Sequence, residues 1–160
     1  MVTSTIAVDA FLADSVAVAD GKIYAQGAGW NVINTRVLPT AHDRIGIGII
    51  VRVPYTSTNQ LHRWELRLEG ADGQQLPLGD NPAGEGKVRA IGGQFNVGRP
   101  PMLQPGDEQV VPFAMNVNGL PFEQAGAYRF VVSVDGSDVK ELPFRVFLLP
   151  DPQPIIKMDD

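Results

Sequence analysis

Three observations predict an all-β fold. The pairs Asp20-Gly21, Asp72-Gly73 and Asp135-Gly136 each separate two stretches of alternating or nearly alternating apolar residues. Positive φ at both centres of a type I′ turn is tolerated by Asp and free for Gly, so Asp-Gly between such stretches signals a β-hairpin. Gly (17 residues) and Pro (13 residues) are frequent, as turns joining short strands require. No stretch carries the period of a long helix.

Taken in order, Val8 to Ala19 reads as the first strand, with Ala10, Leu12, Val16 and Val18 on one face and Asp14 among them. Lys22 to Ile33 returns after the first turn, interrupted by Gly27 and Gly29, which mark a bulge or a close backbone approach. Arg44 to Val53 is the clearest strand: Ile45, Ile47, Ile49, Val51 and Val53 form a β-branched core face. Gly46 and Gly48 leave its other face bare for something bulky, such as Trp30, Trp64 or a partner's side chain. If that face is filled, Gly48→Val should clash and cost about 1–3 kcal/mol.

A polar loop, Pro54 to Gln60, precedes the strand Leu61 to Glu69, which turns at Asp72-Gly73 into Gln74–Leu78. Gly79 to Gly86 has the composition of an exposed loop. Lys87 to Gly98, Gln109 to Val117, and the hairpin of 127–134 with 139–148 complete about nine strands in mostly antiparallel order, the pattern of two packed sheets. Residues 1–149 read as one domain. Proline at every second position of Pro150-Asp151-Pro152-Gln153-Pro154 bars a β-ladder, so residues 150–160 read as an extended arm. Ile155, Ile156 and Met158 at its end would dock on this domain or on another chain, or belong to a frayed terminus.

Composition narrows function by exclusion. Thirteen basic residues against 18 acidic ones give a net charge of −5 without a basic stripe, which argues against a nucleic-acid partner. The chain has no cysteine, so disulfides and thiolate chemistry are excluded, and a reducing compartment is favoured. Ile6 to Ala19 lacks a basic flank and carries Asp9 and Asp14, so it reads as neither a signal peptide nor a membrane span. The expected location is cytoplasmic, or a virion or other assembly reached without a signal.

Catalytic and cofactor patterns fail one by one. His42 and His62 are the two histidines, and no Gly-x-Ser-x-Gly elbow exists for a hydrolase. Glu85-Gly86 stands where a P-loop needs Lys and Ser/Thr, and Val32 where a dinucleotide loop needs its third Gly. No metal set has ligand spacing. No cofactor, metal or enzymatic activity is therefore expected. Asp14 reads as a buried structural carboxylate, capping loop amides or pairing with an Arg, against a catalytic alternative. Tyr55, Asn59, His62 and Trp64 form a candidate binding group, against the alternative that Asn59 and His62 only satisfy backbone groups in a long turn. Arg99, before two prolines, suits a partner carboxylate or pairs with Asp107 across its own loop.

Two resemblances extend this reading. Gly126-Ala127-Tyr128, within Pro121 to Val146, resembles the Gly-x-Tyr before the penultimate strand of immunoglobulin-like sandwiches, which implies a tyrosine corner and an immunoglobulin-like fold. Leu12-Ala13-Asp14, Gly21 to Tyr24, Gly27 to Trp30, Val53-Pro54-Tyr55 with Asn59 and His62, Asp72-Gly73, and Val97 to Pro101 resemble an uncharacterised family of bacterial proteins. That family is known only as a domain of unknown function and implies no activity. The expectation is a non-enzymatic module that binds a protein partner or copies of itself, with no nucleic acid and no membrane. Its rival is a small-molecule or glycan-binding sandwich using Trp30, Tyr55, His62 and Trp64.

Overall fold

The computed structural model describes residues 5–154. These residues form strands β1 (Ala7–Ala13), β2 (Ser15–Ala19), β3 (Lys22–Gln26), β4 (Val32–Thr35), β5 (Thr40–Pro54), β6 (Leu61–Gly70), β7 (Gln75–Leu76), β8 (Gly79–Asp80), β9 (Lys87–Val88), β10 (Ala90–Asn96), β11 (Glu108–Phe122), β12 (Gly126–Val134) and β13 (Ser137–Leu148). A single 3-10 turn, Tyr55–Ser57, follows β5, and there is no α-helix among the described residues. The fold is all-β with several sheets. One has the order β1-β5-β11, and a six-stranded one runs β10-β6-β12-β13-β4 with β7 beside β6. Two hairpins, β2-β3 and β8-β9, stand apart. Every pairing is antiparallel except β4 with β13, which is parallel.

The core lies where the alternation predicts. Ile45, Ile47, Ile49, Val51 and Val53 of β5 are at most 1% exposed. They join Leu66 and Leu68 of β6, Phe130, Val132 and Val134 of β12, and Leu142, Phe144 and Val146 of β13 in one cluster. Apolar area removed from water at about 25 cal/mol per Å² makes that cluster the main source of stability.

Two of the Asp-Gly pairs adopt the expected turn, with positive φ at Asp20 and Gly21 and at Asp135 and Gly136. The third differs. At Asp72-Gly73 only Gly73 is left-handed, its N–H donates to the Gly70 carbonyl at 3.0 Å, and Asp72 accepts the Gln74 N–H through its side chain. The hairpin forms through a longer loop with one left-handed residue.

Thirteen strands replace the nine expected, because three runs that read as single strands are broken and because Gly79–Asp80, in the segment that reads as an exposed loop, forms the short strand β8 against β9. The first breaks at Asp14, where the chain leaves β1 and turns into the separate β2-β3 hairpin. Asn116 of β11 fixes that turn: its Oδ1 accepts the Val16 N–H at 3.0 Å and its Nδ2 donates to the Val16 carbonyl at 2.9 Å. Asp14 is consequently exposed, not buried on an apolar face. Its carboxylate lies where a Cβ on Gly27 (φ +62°) would have to sit, so Gly27 meets both a conformational and a steric need. The second run breaks at Gly27-Ala28-Gly29, after which β4 joins the other large sheet. The third divides into β9 and β10 around Arg89.

The glycine face of β5 is filled by neither tryptophan. The Phe11 ring, on the cross-strand partner of Gly48, lies directly over it, and the Ser15 backbone lies over Gly46.

Candidate functional site

Four of the residues singled out in the sequence meet at one end of the fold. Asn59 is left-handed (φ +56°), and its N–H donates to the Val97 carbonyl at 2.7 Å. Thr58, 1% exposed, donates its hydroxyl to the Tyr55 carbonyl at 2.7 Å. Arg99 completes the turn from outside. Its Nε donates to Thr58 Oγ1 and its Nη2 to the Tyr55 carbonyl, both at 2.7 Å, while its guanidinium sits 3.9 Å above the Tyr55 ring centroid. Arg99, from the segment after β10, therefore clamps the Tyr55–Gln60 turn through a hydroxyl acceptor, a carbonyl acceptor and a cation–π contact. It does not pair with Asp107, whose carboxylate accepts the Gln104 N–H instead.

His62 closes the other side of the turn. It is 5% exposed, with Nδ1 2.8 Å from Asp135 Oδ2 and Nε2 2.7 Å from the Ser57 carbonyl oxygen. The second Asp135 oxygen accepts the Arg63 N–H at 2.9 Å. Burial alone would lower the imidazole pKa, but the Ser57 carbonyl and the Asp135 carboxylate outweigh it and raise it. Burial would raise the Asp135 pKa, yet the Arg63 N–H and His62 hold it below the usual carboxylate range.

The four aromatic candidates for a ligand site do not converge. His62 has both nitrogens occupied. Trp64 packs on Phe113, ring centroids 5.5 Å apart, and against Gly93 on its cross-strand neighbour. Trp30 lies elsewhere, 6.2 Å from the His42 ring, with its indole N–H buried and without a partner. A cleft of about 480 Å³ opens between the β6–β7 turn and the segment leading into β12, lined by Asp72, Leu76, Pro77, Glu123 and Tyr128 but by none of the four. Tyr128 bonds there as a tyrosine corner, its hydroxyl donating to the Gln124 carbonyl at 2.5 Å. Ile155, Ile156 and Met158 lie outside the described residues; residues 150–154 before them are exposed and belong to no strand.

Sequence reading missed a charged network on the outward face of the six-stranded sheet. Arg67 donates to Glu69 Oε2 at 2.8 Å, to both Asp138 oxygens at 2.8 and 2.7 Å, and to Ser133 Oγ at 3.0 Å. Arg129 grips the other Glu69 oxygen. Arg67, with Ser133 beside it, draws the Asp138 pKa down to about 2. Arg129 and Arg67 lower that of Glu69. Two of its five members follow the Asp-Gly turn or flank it on a strand, so no linear spacing announces the cluster.

β10 and β4 are the two ends of the six-stranded sheet. Asn31, just before β4, and Thr35 at its end accept the Arg145 and Leu149 N–H groups. In a parallel pair alternate residues face the partner, so Val32 and Asn34 turn their N–H and C=O groups away from β13. Beside them Val32, Val37, Phe147, Leu148 and Leu149 are 36–62% exposed.

Among the described residues, no group of three or more His, Asp or Glu side chains could hold a metal ion. No helix there is long and apolar enough to cross a membrane.

The chain belongs to a family of unknown function, DUF6941, whose model matches residues 8–147. This bears out the resemblance to an uncharacterised family. No curated protein matches the chain. Among solved structures it is similar to an alkylpurine DNA glycosylase, AlkC, of Pseudomonas fluorescens bound to DNA containing an abasic site analog, at 11% identity and a TM-score of 0.40. The match covers 88% of this chain and 30% of that protein. The exclusion of nucleic acid drawn from charge is corrected accordingly. The structure just named is of a DNA-bound protein, and a net charge averaged over a surface does not rule out a local contact. A likeness at this level carries no argument for DNA binding.

Proposed function

We propose that this protein is a non-enzymatic protein-interaction or assembly module, a component of a larger bacterial or phage complex, built on an immunoglobulin-like two-sheet sandwich. The sandwich reading is supported by one core shared between β1-β5-β11 and the six-stranded sheet, by the parallel β4–β13 pair, and by the Tyr128 corner. The interaction reading rests on one observation: the free β4 edge with exposed Val32 and Phe147 beside it. Unpaired edges with apolar side chains are templates for strand addition, in which main-chain bonds give affinity and side-chain pockets give specificity. A cytoplasmic location fits the absence of cysteine from the sequence.

Two substitutions test the edge. Asn34→Pro removes an N–H that faces away from β13, where proline is tolerated in an edge strand. Phe147→Glu places a charge on the exposed patch. Each is expected to weaken self-association in sedimentation, or capture of a bound protein, at least about tenfold, the equivalent of about 1.4 kcal/mol, while the melting temperature stays close to that of the parent. Assemblies indifferent to both changes would remove β4 as the interaction edge. A monomer that captures nothing, yet shows a saturable thermal shift with a sugar or metabolite, would favour the rival ligand-binding reading.

A further inference from the structure

We infer that the Tyr55–Gln60 turn is latched by a protonated His62 and released when the imidazolium gives up its proton. Both ring nitrogens face groups that only accept. The Ser57 carbonyl oxygen lies 2.7 Å from Nε2, and an Asp135 carboxylate oxygen lies 2.8 Å from Nδ1. Neutral imidazole carries one N–H, so it can satisfy one of them and turns a lone pair towards the other. With His62 at 5% exposure, water has little room to compensate, and the imidazolium is the form that completes both bonds.

The groups that surround the ring leave His62 as the titrating member near neutral pH. Asp135 comes from the β12–β13 turn and is itself held ionised by the Arg63 N–H. β10 supplies the Phe95 ring, 5.3 Å away. The segment after β10 supplies Arg99, which grips Thr58 and Tyr55. The segment before β11 supplies the Asp107 carbonyl, which accepts the Tyr55 N–H. Arg99 thus fixes the outer half of the turn, and His62 fixes the Ser57 half only while charged. The raised imidazole pKa agrees with this arrangement.

The sign follows. A histidine whose folded pKa is raised contributes fully below the unfolded value, about 6.5, and loses the contribution as pH rises through the folded pKa. The latch is therefore closed in mild acid and opens on the alkaline side. It acts at a place in the fold distinct from β4 and does not depend on that edge.

Nitrogen-15 NMR of the His62 ring combined with amide exchange tests the latch. Both ring nitrogens should carry protons in mild acid. Across the His62 titration, protection of the Thr58 and Asn59 amides, corrected for intrinsic exchange, should fall at least about tenfold while core amides such as Ile47 hold theirs. Asp135→Asn should move the step to lower pH, and His62→Gln should abolish it. A single neutral tautomer throughout, flat protection, or an unchanged step in His62→Gln would each overturn the inference. Should His62→Gln fail to fold, Asp135→Asn alone decides, since an unmoved titration there rules out the pairing.

Discussion

Arg67→Ala is expected to lose about 2–4 kcal/mol of stability in urea denaturation, the range for removing one partner from a largely buried charge cluster, discounted for partial exposure. The side chain is 19% exposed and is the hub of four bonds, to Glu69, to both Asp138 oxygens and to Ser133. Without it Glu69, whose side chain is 10% exposed, keeps Arg129 as its partner. Val131, 1% exposed and outside the interior cluster, pairs in register with Arg67 and loses cover. The pH arm is equally specific. Asp138, with its pKa drawn down to about 2, stabilises the fold above its unfolded value of about 3.8, and the contribution disappears as pH falls towards 2. In Arg67→Ala that acid limb should flatten. A stability and an acid limb both equal to the parent's would mean that the network is solvated decoration.

Strand existence and strand faces were legible because period-2 alternation is local information: β5, β6, β12 and β13 bury the residues their sequence marks. What escaped was long-range. Asp14 ends a strand where its N–H turns to the Gln26 and Gly27 carbonyls and where Asn116, a hundred positions beyond Val16, captures that residue, and the alternation around Asp14 does not record the distant bond. Asp72-Gly73 and Asp135-Gly136 look alike in sequence, yet one takes a single left-handed residue and the other two. The difference shows that a turn pair specifies reversal more firmly than type.

The candidate site was legible in membership but not in role. Tyr55, Asn59, His62 and Arg99 do gather: the Asn59 N–H donates to the Val97 carbonyl, and His62 lies between the Ser57 carbonyl and the Asp135 carboxylate. Arg99 does not pair with Asp107, because the Thr58 hydroxyl and the Tyr55 carbonyl lie within its reach. The Asp135 carboxylate was hidden in plain sight: an Asp-Gly turn explains the residue fully, so no signal remained for its bond to His62.

The two glycines of β5 should respond differently to valine. At Gly48 the obstacle is the Phe11 ring, a half-buried side chain that can swing aside, so Gly48→Val is expected to cost about 1 kcal/mol. At Gly46 a Cβ would lie 3.0–3.1 Å from three backbone atoms of Ser15. That backbone cannot withdraw, because Asn116 bonds the next residue on both its N–H and its carbonyl, and Asn116 is the cross-strand neighbour of Gly46. β5 cannot withdraw either, being paired on both sides by β1 and β11. The γ-carbons of Gly46→Val must therefore lift the start of β2 off the sheet, breaking the Asn116 bonds as well as crowding the strand. The expected loss is about 3 kcal/mol, overpacking plus buried polar groups left unpaired. Hydrogen exchange should show the β2-β3 hairpin losing protection before the core does. Equal costs at the two glycines would mean that the Ser15 backbone yields as readily as a side chain, and the Asn116 anchor would then be no anchor.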